Sequence, residues 1–265
     1  MKLSLSNGVF CKHTLEENFA AVKSLGFENI EFNMKSVEVE HDTSVYAARK
    51  LAGDYGLKCL TLHAATLYVK DEVEIHRAVY YGKISADFAY KLGAPVMVVH
   101  SNVSRRIPPE TRNKFLARIF KEIKPYAENL GLKLALENLT YAGVGFGKNV
   151  VEFEEIFGII DDADTMGITL DFCHSTATGT TQSLLQKYHR HLFNVHMGNR
   201  RHTPFVERTP DLEAFIAKLE ECGYSGPISI ELSRKCTVEE IKRTREVLEN
   251  LINHQASKNI SGTKV

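Results

Sequence analysis

The sequence predicts an α/β protein folded as a single (β/α)8 barrel, a TIM barrel. Three observations carry that expectation. Short β-branched or apolar runs alternate with longer amphipathic stretches along all 265 residues, the alternation completes eight rounds, and no shift in composition marks off a second domain. The strand runs are KLSLS at 2–6, NIEFN at 29–33, KCLTLH at 58–63, PVMVVH at 95–100, LKLALEN at 132–138, GITLDF at 167–172, LFNVHM at 192–197 and PISIEL at 227–232. Between them lie helical patterns. TLEENFAAVKSLG and TPDLEAFIAKLEECG each open on a threonine able to cap, carry acids in the first turn and close on glycine. Strand and helix in strict alternation imply parallel pairing, and eight such units close on themselves. The barrel is expected over residues 1–254, followed by a polar, aperiodic and disordered tail at 255–265.

Composition narrows the function classes. Basic and acidic residues balance at 33 each, so no net field draws the chain to nucleic acid or to an anionic membrane, and a small-molecule partner is expected. Cys11, Cys59, Cys173, Cys222 and Cys236 are odd in number and widely spaced, with no Cys-x-x-Cys pair and no signal peptide ahead of them. That pattern predicts a reducing cytoplasm. No apolar run approaches the ~20 residues that a membrane helix needs.

The two-residue period of a strand assigns side chains to the helices or to the barrel axis. In LKLALEN the leucines at 132, 134 and 136 share one parity, which leaves Glu137 facing the axis. The same count turns Asp171, His196 and Glu231 inward from the next three strands, and Glu31, His63 and His100 from earlier ones. Three unpaired carboxylates at the mouth of a low-dielectric barrel repel one another and need a positive partner. A bound divalent cation satisfies that need, because carboxylate oxygens and an imidazole suit Mn²⁺, Co²⁺, Mg²⁺ or Zn²⁺.

These motifs resemble the xylose-isomerase-like superfamily of TIM barrels, which holds sugar and sugar-phosphate isomerases and epimerases together with endonuclease-IV-type apurinic endonucleases. The marks are LALEN with Glu137, LDFCH with Asp171 and His174, NVHMGNRR with His196, and GYSGPISIEL with Glu231. The resemblance implies that Glu137, Asp171, His196 and Glu231 hold one metal. It also implies that Glu137 and Glu231 are catalytic, exchanging a proton with a sugar or sugar phosphate through a metal-stabilised enediolate. His174 and Arg200 then bind substrate, with His63, His100 and Glu31 as further substrate-binding candidates and Arg201 and His202 beside them. The family's range allows a homo-oligomer.

Within the endonuclease branch, histidines at the ends of the third and fourth strands bind an additional zinc, so the resemblance extends to a second zinc near His63 and His100. A zinc apurinic endonuclease or phosphodiesterase is therefore the alternative function. The loop MGNRRHTPFVERTPD lacks the Asp-x-His pair that those nucleases use for their third metal. The segment NLTYAGVGFGKN lacks the substrate-binding glutamate of the ketose 3-epimerases, and its glycines suggest a mobile loop. A third alternative is a non-catalytic, metal-containing barrel that binds sugar.

Overall fold

A computed structural model describes residues 1–37, 43–160 and 166–262, with side chains for all of these except Thr43 and 255–262. Eight parallel strands close into a barrel in sequence order. They are β1 (Lys2–Ser6), β2 (Asn29–Asn33), β3 (Lys58–His63), β4 (Val96–Val99), β5 (Lys133–Glu137), β6 (Met166–Asp171), β7 (Leu192–Met197) and β8 (Pro227–Ile230). Closure comes from β8 pairing with β1 through Leu3 and Ile228. Around them run α1 (Leu15–Ser24), α2 (Thr43–Asp54), α3 (Glu72–Leu92), α4 (Pro109–Asn129), α5 (Val150–Ile160), α6 (Phe172–Thr178), α7 (Thr181–Tyr188), α8 (Pro210–Glu221) and α9 (Val238–Gly262). The expected tail at 255–265 lies outside the residues whose side chains are described.

The expected helix chemistry holds where it was read. Thr14 and Glu17 form a reciprocal capping box at the start of α1, and Gly26 follows its end at φ 80°. Thr209 caps α8 by accepting from the Leu212 amide, and Gly223 follows at φ 72°. One departure concerns the connection from β6 to β7, which holds two short helices instead of one. Gly179, in the left-handed region, ends the first of them. No helix among the described residues is long and apolar enough to cross a membrane.

Strand parity divides the core into two chemistries. Ile30, Phe32, Leu62, Met97, Leu134, Leu136, Ile168, Leu170, Val195 and Ile228 are buried against the helices. Along the axis stand Ser4, Glu31, Thr61, Asn194 and Ser229, all without solvent exposure. Barrel interiors usually fill with branched aliphatics. Here the polar groups bond to one another: Ser4 and Ser229 share a 2.9 Å hydrogen bond, and Ser229 donates to Asn194 Oδ1 at 3.3 Å, while Glu31 Oε1 is left without a partner. Thr61 and Asn194 both donate to Glu31, at 2.8 and 3.2 Å. A buried carboxylate is thereby fixed on the axis beneath the C-terminal ends of the strands.

Close packing also demands a glycine on β6. A Cβ at Gly167 would strike the His191 carbonyl oxygen and the Phe193 ring. Gly167→Ala is expected to lower stability by about 1–3 kcal/mol, because the strand must shift to make room. Urea unfolding followed by circular dichroism checks this as a lower midpoint.

Candidate active site

Four side chains converge where β5 to β8 end. Glu137 and Asp171 are the last residues of β5 and β6, and His196 lies one residue before the end of β7. Glu231 follows β8 directly, its amide still bonded to the Met197 carbonyl at 3.0 Å. One donor atom from each of the four lies within 4.8 Å of the others. His196 Nδ1 stands 3.2 Å from Glu231 Oε2, 3.5 Å from Glu137 Oε1 and 3.9 Å from Asp171 Oδ2. Asp171 Oδ2 and His196 Nδ1 are buried without a hydrogen-bond partner. Buried polar atoms are rarely left so, and oxygen and imidazole donors aimed at one point fit a divalent cation.

The axial carboxylate decides which imidazole nitrogen faces that point. His196 Nε2 donates to Glu31 at 2.9 Å, which turns Nδ1 toward the centre, where it can bind a cation once its proton is released. Glu31 was expected to touch substrate, but it is fully buried under His196 and does not line the cavity. Its contact with Nε2 sets the orientation of the His196 ring. Strand parity shows that Glu31 faces the axis but not how far along the axis it sits.

Burial and charge oppose each other here. Burial pushes Glu137 up, yet His196 and His100 more than offset it and hold the carboxyl well below its usual range. Glu231 is likewise pushed up by burial and held down by His196. For Asp171 burial wins, and its carboxyl is raised. Burial lowers His196, but Glu31, Glu137 and Glu231 raise it well above an ordinary histidine.

A second group shares Glu137. His63 Nε2 and His100 Nε2 each stand 3.2 Å from Glu137 Oε2, and the His63 Nδ1 edge meets the Ala64 carbonyl at 3.1 Å. These three could also hold a cation.

Above both groups opens a cavity of about 230 Å³. Of the four converging side chains only Glu137 and Glu231 line it, while Asp171 and His196 lie beneath. His63, His100 and His174 also line it, the last with Nδ1 donating to the Asn138 carbonyl at 2.9 Å. Arg200 is not brought in. It is exposed and lines a separate depression beside Cys173 and Asn199. His202 reaches the cavity in its place, and Lys35, Tyr68 and Thr140 are among the other residues that line it. Nothing in the sequence singles out Tyr68, which lies in an aperiodic loop.

The glycine-rich segment after β5 is held by several hydrogen bonds. Lys148 is fully buried, and its ammonium donates to the Gly143 carbonyl at 2.8 Å. Glu152 accepts from the Gly147 and Lys148 amides at 2.8 and 3.0 Å. Leu139 N to Gly147 O at 2.8 Å and Arg105 N to Val144 O at 2.8 Å fasten the rest. In this conformation Gly143 and Gly145 form part of the cavity wall.

Two outcomes follow for metal binding. Because the carboxylates hold a proton on His196, cation uptake at neutral pH should release about one proton. Affinity for Zn²⁺ or Mn²⁺ should then rise with pH until the raised pKa of His196 is passed, which calorimetry in buffers of different ionisation enthalpy measures. Glu31→Ala removes the group that orients His196 and should weaken metal affinity about 10–100-fold, read by competition with a chromophoric chelator.

Comparison with known proteins places this geometry. The family model described as xylose isomerase-like TIM barrel matches residues 19–254. The chain is similar to an inosose isomerase of Bacillus velezensis, 25% identical over 276 aligned positions that cover 95% of this chain and 97% of the relative. Among solved structures, a D-tagatose 3-epimerase-like protein superposes with TM-score 0.79 at 22% identity, covering 97% and 99% of the two chains. The IOLI protein, crystallised with a bound zinc atom, superposes with TM-score 0.76 at 23% identity, covering 96% and 99%. With its eight-stranded closed barrel and the match over most of its length, the chain belongs to the xylose isomerase-like TIM barrel family.

Proposed function

We propose that the protein is a divalent-metal-dependent isomerase or epimerase of a sugar or sugar phosphate. One observation carries the reading: among four converging side chains, the two that line the cavity are the two glutamates, Glu137 and Glu231. Two carboxylates at the wall of one cavity suit proton removal by one and proton return by the other. Similarity to an inosose isomerase supports the same class.

A divalent cation held by Glu137, Asp171, His196 and Glu231, such as Mn²⁺, Zn²⁺, Co²⁺ or Mg²⁺, supplies Lewis-acid polarisation of the carbonyl beside the reacting carbon. The chain's own groups do the rest. Glu231, its side chain 17% exposed, and Glu137, at 1%, accept and return the proton at their carboxylate oxygens. His174, tied by Nδ1 to Asn138 O and by Nε2 to His202 Nε2, contacts a substrate hydroxyl from the cavity wall. Five free cysteines suit a reducing cytoplasm.

The group of His63, His100 and Glu137 favours a second reading, a zinc phosphodiesterase acting on abasic DNA. The balanced net charge and the missing Asp-x-His pair count against it.

The test is proton exchange in D₂O, followed by NMR, with a panel of ketopentoses, ketohexoses, their phosphates and inososes and each of the four metals. Deuterium should enter beside the carbonyl of at least one member. Glu231→Gln and Glu137→Gln should each reduce that exchange by about 10²–10⁴-fold while the fold persists. Nicking of an abasic duplex with no exchange on the panel would establish the second reading instead.

A further inference from the structure

A net charge of zero conceals a division between the two ends of the barrel. Leaving Glu231 aside, the loops that follow the strands carry eleven lysines and arginines against five acids. Three of those acids, Glu38, Glu40 and Asp42, lie outside the described residues. The segments that return from helix to strand at the opposite end carry one arginine and four acids, three of the acids again outside the described residues. Near the mouth Arg105 is paired with Glu152 at 2.7 Å. Arg106, Arg200, Arg201 and Arg234 are exposed, and no carboxylate among the described residues pairs with them. Unpaired charge of one sign around a cleft draws in ligands of the other sign.

One cation reaches the cavity itself. Lys35 lies in the short 3-10 turn Met34–Ser36 after β2 and is, among the described residues, the one lysine or arginine in the cavity lining. Buried side chains hold that turn. Lys35 N donates to Asn33 Oδ1 at 3.0 Å, and Asn33 N donates to Asn7 Oδ1 at 2.7 Å, both asparagines being buried. Gly8 leaves room for Asn33, since a Cβ there would stand 2.9 Å from its Nδ2. The Lys35 ammonium pairs with no carboxylate among the described residues, so it is not the counter-ion of Glu137 or Glu231. An unpaired lysine in a ligand cavity suits an anionic group as a point charge. Glu137 and Glu231 repel such a group, which places the neutral carbonyl end of a ligand against the glutamates and the charged end at Lys35.

We propose that the substrate carries a phosphate or a carboxylate at the end remote from its reacting carbon, and that Lys35 binds this group at the mouth of the cavity and selects for it. The inference rests on the isomerase or epimerase function and deepens it. The exposed arginines draw the anion toward the mouth, and Lys35 makes the contact that separates charged from uncharged substrates.

Deuterium exchange tests this with ketopentoses and ketohexoses, each compared with its terminal phosphate and with its terminal carboxylate counterpart. In the wild-type protein kcat/KM for one charged form should exceed that for the uncharged sugar by about tenfold or more, the scale of a hydrogen bond to a charged group. Whichever anion gives the higher ratio identifies the group. The ratio should fall as NaCl is raised from about 20 to about 300 mM, because salt screens exposed charge. Lys35→Met should lower the ratio by about tenfold, and Lys35→Arg, which keeps the charge, should preserve most of it. A lysine with a merely structural role would change charged and uncharged substrates alike. A ratio within about twofold of wild type in Lys35→Met therefore overturns the proposal alone. A wild-type protein that prefers the uncharged sugars overturns it too. A wild-type protein that exchanges no proton with any member overturns the functional reading and this inference together.

Discussion

Three carboxylates and one imidazole are forced within 4.8 Å of one another at the end of a barrel that excludes water from most of them. Much of the surrounding structure answers that constraint. Carboxylates so placed cannot all stay charged without a positive partner. Histidines supply part of the compensation: His196 is raised well above its ordinary range, and Glu137 and Glu231 are held down by it. Asp171, where burial dominates, carries the unbonded Oδ2. The imbalance is the electrostatic reason that a cation fits.

A second consequence runs down the axis. His196 must present one nitrogen and no other, and the polar column of Ser4, Ser229, Asn194, Thr61 and Glu31 holds it so. An aliphatic layer would pack equally well but could not accept the Nε2 proton. The barrel gives up a dry interior layer to fix a tautomer. The cavity walls are specified with the same care, through the Lys148 ammonium under the glycine-rich segment and the strained turn that carries His202.

Much of this was legible in the sequence. Alternation located all eight strands, with most ends within one residue, and parity identified Glu137, Asp171, His196 and Glu231 as facing the axis together. That success has a local cause. A strand's two-residue period is set by backbone geometry, so side-chain direction follows from position alone, and parallel closure then brings equivalent strand ends to one place. Thr14, Thr209 and the glycines after their helices were legible for the same reason, since caps depend on near neighbours.

The tertiary structure decided the rest. Glu31 faces the axis as its parity says, but its depth below the cavity depends on the stagger of β2 against β3 and β7, which no single strand encodes. Arg200 and His202 differ by two places in one loop, and only the contacts of His202 with Cys173, Ser233 and Cys236 turn the histidine in and leave the arginine out. The glycine-rich segment has no regular pattern in sequence, and its hydrogen bonds with Lys148, Glu152 and Arg105 arise only in the folded chain. Sequence thus determined the fold and the converging side chains, because regular backbone propagates local rules. The cavity walls were decided by long-range contacts, because loop backbone takes its shape from what it touches.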